Sequence, residues 1–128
     1  MTAIPTKIEK QMEKVGIKAF VVINKRGRIV DSFGENGLNI SKEKKEVLFM
    51  STVLQCSMQD EQNDDFGRMQ FCITKRDKSK FFCQHVGGDR IAIIVANNRT
   101  DDSAIVDYVN QISKMYTLDT ISEKDVML

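Results

Sequence analysis

The stretch KKEVLFMSTVLQCSMQ, Lys44 to Gln59, decides how this chain folds. It contains no proline or glycine and is long enough for about four helical turns. At about 100° per residue, Val47, Met50, Leu54 and Met58 form one apolar stripe, and Phe49, Val53 and Cys56 form a second beside it. Together the stripes span roughly 200°, whereas a helix resting on one core needs a stripe only somewhat wider than about 100°. Leu48 adds an apolar side chain on the far side. The pattern predicts a helix over 41–59 that buries one stripe against its own core and offers the other to a second surface. Ser57, small and between the stripes, would permit close approach. The alternative is a single wide core contact, with Met and Phe filling space under loops.

Working outward, Ser41 is a natural cap for this helix and Glu43 suits its positive end. The acidic run DEQNDDFG, 60–67, ends it as a solvated helix terminus. Upstream, Thr6-x-x-Glu9 has the form of a capping box, and Ile8, Met12 and Val15 follow at helical spacing before Gly16. A first helix over Thr6 to Val15 is expected. IKAFVVIN (17–24) and RIVDSF (28–33) are strands joined by a glycine-containing turn. Downstream, RMQFCIT (68–74), KFFCQHV (80–86) and RIAIIVA (90–96) are strands with hairpin-sized connections. Thr100, Asp101 and Asp102 offer caps for a last helix, whose apolar face is Ile105, Tyr108, Val109, Ile112, Met115 and Tyr116. The tail 117–128 has little pattern.

This order defines an α+β domain: helix, two strands, helix, three strands, helix. Strands 17–24 and 90–96 are apolar on both faces, so both faces must be covered and the strands belong at the centre of the sheet. Strands 28–33 and 68–74 are more polar and suit the edges. A five-stranded antiparallel sheet follows, with the middle helix on one face and the first and last helices on the other.

The chain has 128 residues, which suits one domain, with a core over about 6–116. Nineteen basic and 18 acidic residues give a net charge of +1, which argues against a dedicated nucleic-acid binder. The first residues are polar, unlike a secretory leader, and no window is long and apolar enough to span a bilayer. Cys56, Cys72 and Cys83 are odd in number and widely spaced, so reduced thiols in a cytoplasm are the expectation.

Catalytic patterns are scarce. Cys83 and the only histidine, His85, point to one side of a strand. A two-residue turn at Asp77–Lys78 would set Cys72 opposite Cys83 and gather two thiols with an imidazole; a turn one residue longer would destroy the pairing. Zinc would still want a fourth ligand, and a thiol nucleophile would need an oriented base. These residues read instead as small hydrophobes on a half-buried strand, and no metal or other cofactor is expected. DEQNDD lacks calcium-loop spacing, and Gly87–Gly88 leads into a strand rather than a phosphate-binding helix. Basic turns at Lys25, Arg26 and Arg28, and at Lys75, Arg76, Lys78 and Lys80, would lie at opposite ends of the sheet. They are solvated charges or a docking contact for an acidic partner.

The order of elements, the opening VGIKAFVVINKRGRIVDSFG, and EVLFMSTVLQCSM followed by a KRDK hairpin together resemble the roadblock/LC7 family of dynein light chain-like domains. The look is close to that of uncharacterised archaeal proteins of this type. The resemblance covers about residues 6–116 and implies a roadblock/profilin-like fold without catalytic function. Roadblock domains commonly dimerise through the middle helix and adjoining edge strand. By that resemblance the interface would comprise Val47, Phe49, Met50, Val53, Leu54, Ser57 and Met58 of the helix, with Met69, Phe71 and Ile73 of the strand. The implied partners are a second copy, another roadblock-type subunit, or a small Ras-like GTPase within a regulatory or trafficking complex. The rival reading is a small-ligand sensor, PAS-like or GAF-like, with a pocket between sheet and helix that Met50 and Met58 could line. A polar-lined internal cavity would favour the sensor, and a flat, dry apolar helix face the interaction module.

Overall fold

The computed structural model describes residues 6–34, 38–112 and 114. The side chains of Thr6 and Ile8, and with them the capping box, lie outside that description, as do Met115, Tyr116 and the tail 117–128. The elements are α1 (Thr6–Lys14), β1 (Ile17–Ile23), β2 (Ile29–Phe33), α2 (Lys42–Asp60), α3 (Asn63–Phe66), β3 (Cys72–Lys75), β4 (Ser79–His85) and β5 (Ile91–Asn97). A final helix, α4, covers 102–112.

The five strands are antiparallel in the order β2-β1-β5-β4-β3. The two strands that are apolar on both faces, β1 and β5, lie side by side in the interior, as their composition requires. Alternate β1 side chains enter separate cores. Phe20 and Val22 pack with Ala92 and Ile94 of β5, Phe82 of β4, Met12 of α1, and Ile105, Val109 and Ile112 of α4. Val21 and Ile23 pack with Ile91 and Ile93 of β5, Cys83 of β4, and Phe49 and Cys56 of α2. One face of the sheet therefore carries α2, and the other α1 and α4. Full burial of a side chain such as Phe20 stabilises the fold by about 1.5–3 kcal/mol.

Local chemistry sets the boundaries. Gly16 ends α1: its N–H donates to the Glu13 carbonyl at 3.1 Å, and its φ of +95° favours glycine. A Cβ there would also meet Thr100 Oγ1 at 2.5 Å. Ser41 caps α2, with its Oγ accepting from Lys44 N at 3.2 Å. The carboxylate of Asp101 caps α4, accepting from Ser103 N at 3.1 Å. The β3–β4 turn has two residues at its tip, closed by Arg76 N donating to the Ser79 carbonyl at 2.9 Å, and Cys72 pairs with Cys83.

Two features differ from expectation by more than a residue or two. The acidic run holds a short helix, α3, whose four residues, NDDF, are too few to show apolar periodicity. Residues 68–71 are not strand, and β3 begins at Cys72. Met69, Phe71 and Ile73 alternate like a strand, but Met69 N is held by Asn63 Oδ1 at 3.4 Å, turning the chain off the sheet edge.

A buried ammonium fastens β4 to the start of α4. Lys80 Nζ donates to the Thr100 carbonyl at 2.6 Å and to Asp102 Oδ1 at 2.7 Å. Lys75 Nζ approaches the other carboxylate oxygen at 3.4 Å. The bond from Lys80, then that from Lys75, holds the Asp102 carboxyl below its ordinary pKa.

Candidate interaction surface

Helix α2 shows where its two stripes go. Phe49, Thr52 and Cys56 face the sheet, with Phe49 only 3% exposed. The Thr52 hydroxyl bonds the Leu48 carbonyl at 2.8 Å, so it enters the core without an unpaired donor. Thr52, rather than Val53, completes the inward row, and Val53 is half-buried at its margin. Val47, Leu54 and Met58 are 68%, 59% and 67% exposed. At about 100° per residue they lie opposite Phe49 and Cys56, so this row points away from the sheet. The stripes are opposed rather than adjacent; Met50 and Val53 bridge them on one flank. Met50, 40% exposed, leans against Gly27 of the β1–β2 turn, where a Cβ would lie 2.7 Å from its sulfur.

The expected interface residues therefore separate. Val47, Met50, Leu54, Ser57 and Met58 are exposed. Phe49 is core, which corrects its expected place at an interface: it is already buried against the chain's own sheet. Met69 packs against the α2-side core. Phe71 and Ile73 lie on the opposite face, where Ile73 joins the α1/α4-side core, while Phe71 stacks on Phe82 with centroids 5.1 Å apart and is still 40% exposed, as exposed as Met50. Phe71, just before β3, and the outer backbone edge of β3 are what this segment leaves available. The closing bond at Arg76–Ser79 directs residues 72 and 74 toward β4, so the main-chain groups of Ile73 and Lys75 face outward.

The thiols come together, but not around the imidazole. Cys56 and Cys83 sulfurs are 3.9 Å apart, and Gln55 Nε2 reaches Cys72 Sγ at 3.8 Å. Contact with Cys56, followed by burial, pushes the Cys83 thiol up, and a hydrogen bond from Cys83 pulls Cys56 down. His85 instead meets Asp60 at 3.1 Å, tying the end of α2 to β4. Among the described residues no group of three His, Cys, Asp or Glu side chains is placed to hold a metal ion. The groove between α2 and β3–β4 is about 250 Å³, below the usual range of ligand pockets, about 300–1,000 Å³. Neither Met50 nor Met58 lines it, and of the two only Met50 lines the larger groove beside the β1–β2 turn.

A larger groove of about 590 Å³ lies between the β1–β2 turn and the first half of α2. Arg26, Arg28, Lys42 and Lys45 line it together with Glu46 and the apolar Ile29, Phe49 and Met50. The cations of the first turn were legible in the sequence. Their convergence with Lys42 was not, and the signal for it was Gly27, the residue that lets the turn close on Met50.

No family model matches the chain, and no curated protein matches it. Solved structures do. MglB of Myxococcus xanthus aligns over 91% of this chain and 97% of its own, at 18% identity and a TM-score of 0.74. A roadblock/LC7 domain from Streptomyces avermitilis aligns over 89% and 94%, at 11% identity and 0.67. A structure described as MglB with tetrameric arrangement aligns over 91% and 87%, at 6% identity and 0.72. Identities this low speak to architecture alone, and apart from the short α3 the architecture has the order read from the sequence. The fold of this chain is the roadblock/LC7 fold.

Proposed function

We propose that this chain is a single-domain, non-enzymatic interaction module that self-associates through the outward row of α2 and serves as a platform for a small Ras-like GTPase or another subunit of a regulatory complex. The observation that carries the reading is the exposed row Val47, Leu54 and Met58, with Met50 on its flank. Four large apolar side chains on one helix face form a contiguous patch of the kind that marks an interaction site. The helix has no internal reason for them, since Phe49, Thr52 and Cys56 already fill its seat on the sheet. The tetrameric arrangement in the description of one MglB structure supports assembly as a habit of this architecture. The Ras-like partner comes from the resemblance to roadblock domains. Reduced thiols and a cytoplasmic setting fit the same reading.

Light scattering on the purified protein tests the first part: a dimer or higher species is expected at micromolar concentration, and a soluble monomer rejects it. Affinity capture from a native cytoplasm, with and without GTP, tests the second. A nucleotide-dependent small GTPase among the captured proteins is expected, and its absence under both conditions removes the GTPase from the proposal.

A further inference from the structure

We infer that the groove rimmed by Arg26, Arg28 and Lys42 receives the acidic α3 of a second copy of this chain, with Phe66 seated on its apolar floor. The inference rests on the self-association proposed above and adds the contact that determines which ends meet.

Helix α2 is charged against its own dipole. A helix N-terminus carries partial positive charge and favours anions, and its C-terminus favours cations. Here the N-terminal end holds Lys42, Lys44 and Lys45 against Glu43 and Glu46, and Arg26 and Arg28, brought beside it by the turn, make the surplus clearly positive. The last turn contains no basic residue, and Asp60, Glu61, Asp64 and Asp65 cluster from that end into α3. Within one chain this arrangement is mildly unfavourable at both ends. Between two chains it is complementary.

The apolar parts match as well. Phe66 is 83% exposed, the most exposed large apolar side chain among the described residues, and it directly follows Asp64 and Asp65. The groove is its counterpart: Ile29 and Met50 present apolar surface above the core residue Phe49, and Arg26, Arg28, Lys42 and Lys45 outnumber the one acidic lining residue, Glu46. Arg26, Arg28 and Lys42 make no side-chain ion pair among the described residues, so a partner's carboxylates need not displace an existing one. An antiparallel meeting of two α2 helices brings the basic end of each toward the acidic end of the other. A parallel meeting sets like charges together, and this disfavours the wrong arrangement.

The test is a charge-reversal cycle read by sedimentation equilibrium at low salt, with circular dichroism confirming that each variant is folded. Arg26→Glu with Arg28→Glu, and separately Asp64→Lys with Asp65→Lys, should each weaken self-association by about tenfold or more, and the combined variant should recover most of the loss. Phe66→Ser should weaken association at every salt concentration. A labelled peptide of residues 59–67, QDEQNDDFG, should bind the parent chain and fail to bind the Arg26→Glu/Arg28→Glu variant. If every charge reversal and Phe66→Ser associate as tightly as the parent while a polar residue at Leu54 disrupts assembly, the groove contact is wrong and the α2 reading survives. If the parent is a monomer, the α2 reading fails, and the peptide alone decides the groove: no binding at high micromolar concentration overturns it.

Discussion

Leu54→Gln separates assembly from folding more cleanly than any other single change. Gln matches Leu closely in helix propensity, so α2 should keep its length and caps. Leu54 is 59% exposed in the isolated chain, so most of its hydrophobic surface does not stabilise the monomer. Fully burying a leucine is worth about 1.5–3 kcal/mol, and the exposed fraction leaves about 1–2 kcal/mol to be gained at an interface. A two-fold axis uses the residue twice, so the variant should lose about 2–3.5 kcal/mol of association free energy, or about 30- to 400-fold in dissociation constant. Unfolding of the diluted, monomeric protein should change by no more than about 0.5 kcal/mol. Sedimentation equilibrium across a concentration series gives the first quantity, and urea denaturation below the dissociation constant gives the second. The reasoning is refuted if Leu54→Gln associates like the parent, or if it destabilises the monomer by as much as it weakens assembly.

Other expectations concern the rest of the fold. Lys80→Met should destabilise the protein by about 1–3 kcal/mol, because the Thr100 carbonyl loses its donor and Asp102 its nearest cation; urea unfolding of the two proteins measures it. The Asp102 carboxyl is held below its ordinary pKa, so its contribution is complete above the unfolded value of about 3.9 and disappears as pH falls through the folded value. Asp102→Asn should therefore lower stability at neutral pH and flatten the acid limb of the stability curve, whereas parallel curves for parent and variant would remove Asp102 from the acid response. In native thiol labelling, Cys72 should react first, with Cys56 and the raised, buried Cys83 slow, and all three should label after denaturation without reductant; a missing thiol would mean a disulfide. Lys75→Pro removes an outward backbone donor while sparing the Cys72–Cys83 side of the ladder, so far-UV circular dichroism should stay unchanged. If the β3 edge pairs between copies, association weakens in that variant; unchanged association assigns assembly to α2 alone.

Much of this architecture was legible because burial on both faces leaves a strong mark. IKAFVVI and IAIIVA have no polar face, and that property alone places β1 and β5 inside the sheet. The β3–β4 register was legible as a condition on turn length, since KRDKS admits a two-residue tip that puts Cys72 opposite Cys83. Other features depended on tertiary contacts. Residues 68–71 alternate as a strand would, yet an asparagine side chain six residues upstream diverts Met69 from the edge. Phe49 belongs to the same apolar arc as Leu54, and only the docking angle of α2 decides which of them meets the sheet. The pairing of His85 with Asp60 joins residues 25 positions apart that share no local motif. The basic groove is likewise assembled from two segments with a loop between them.

The adjacency of β1 and β5 also governs how the chain comes off the ribosome. Ile23 pairs with Ile91, and Phe20 with Ile94, so the middle of the sheet joins segments from opposite ends of the domain. Such long-range closure is slow, and it cannot begin until nearly the whole domain has been synthesised. Until then β1 has β2 as its only partner among the strands, and a β-rich segment with one polar residue in seven stands open on its other side. This favours a chaperone-shielded nascent chain, with folding committed late and as one unit. A fragment ending before Ile91 would keep β1, β2, α2, β3 and β4 but lose the strand that joins β1 to β4, and aggregation rather than a smaller folded piece is its expected fate.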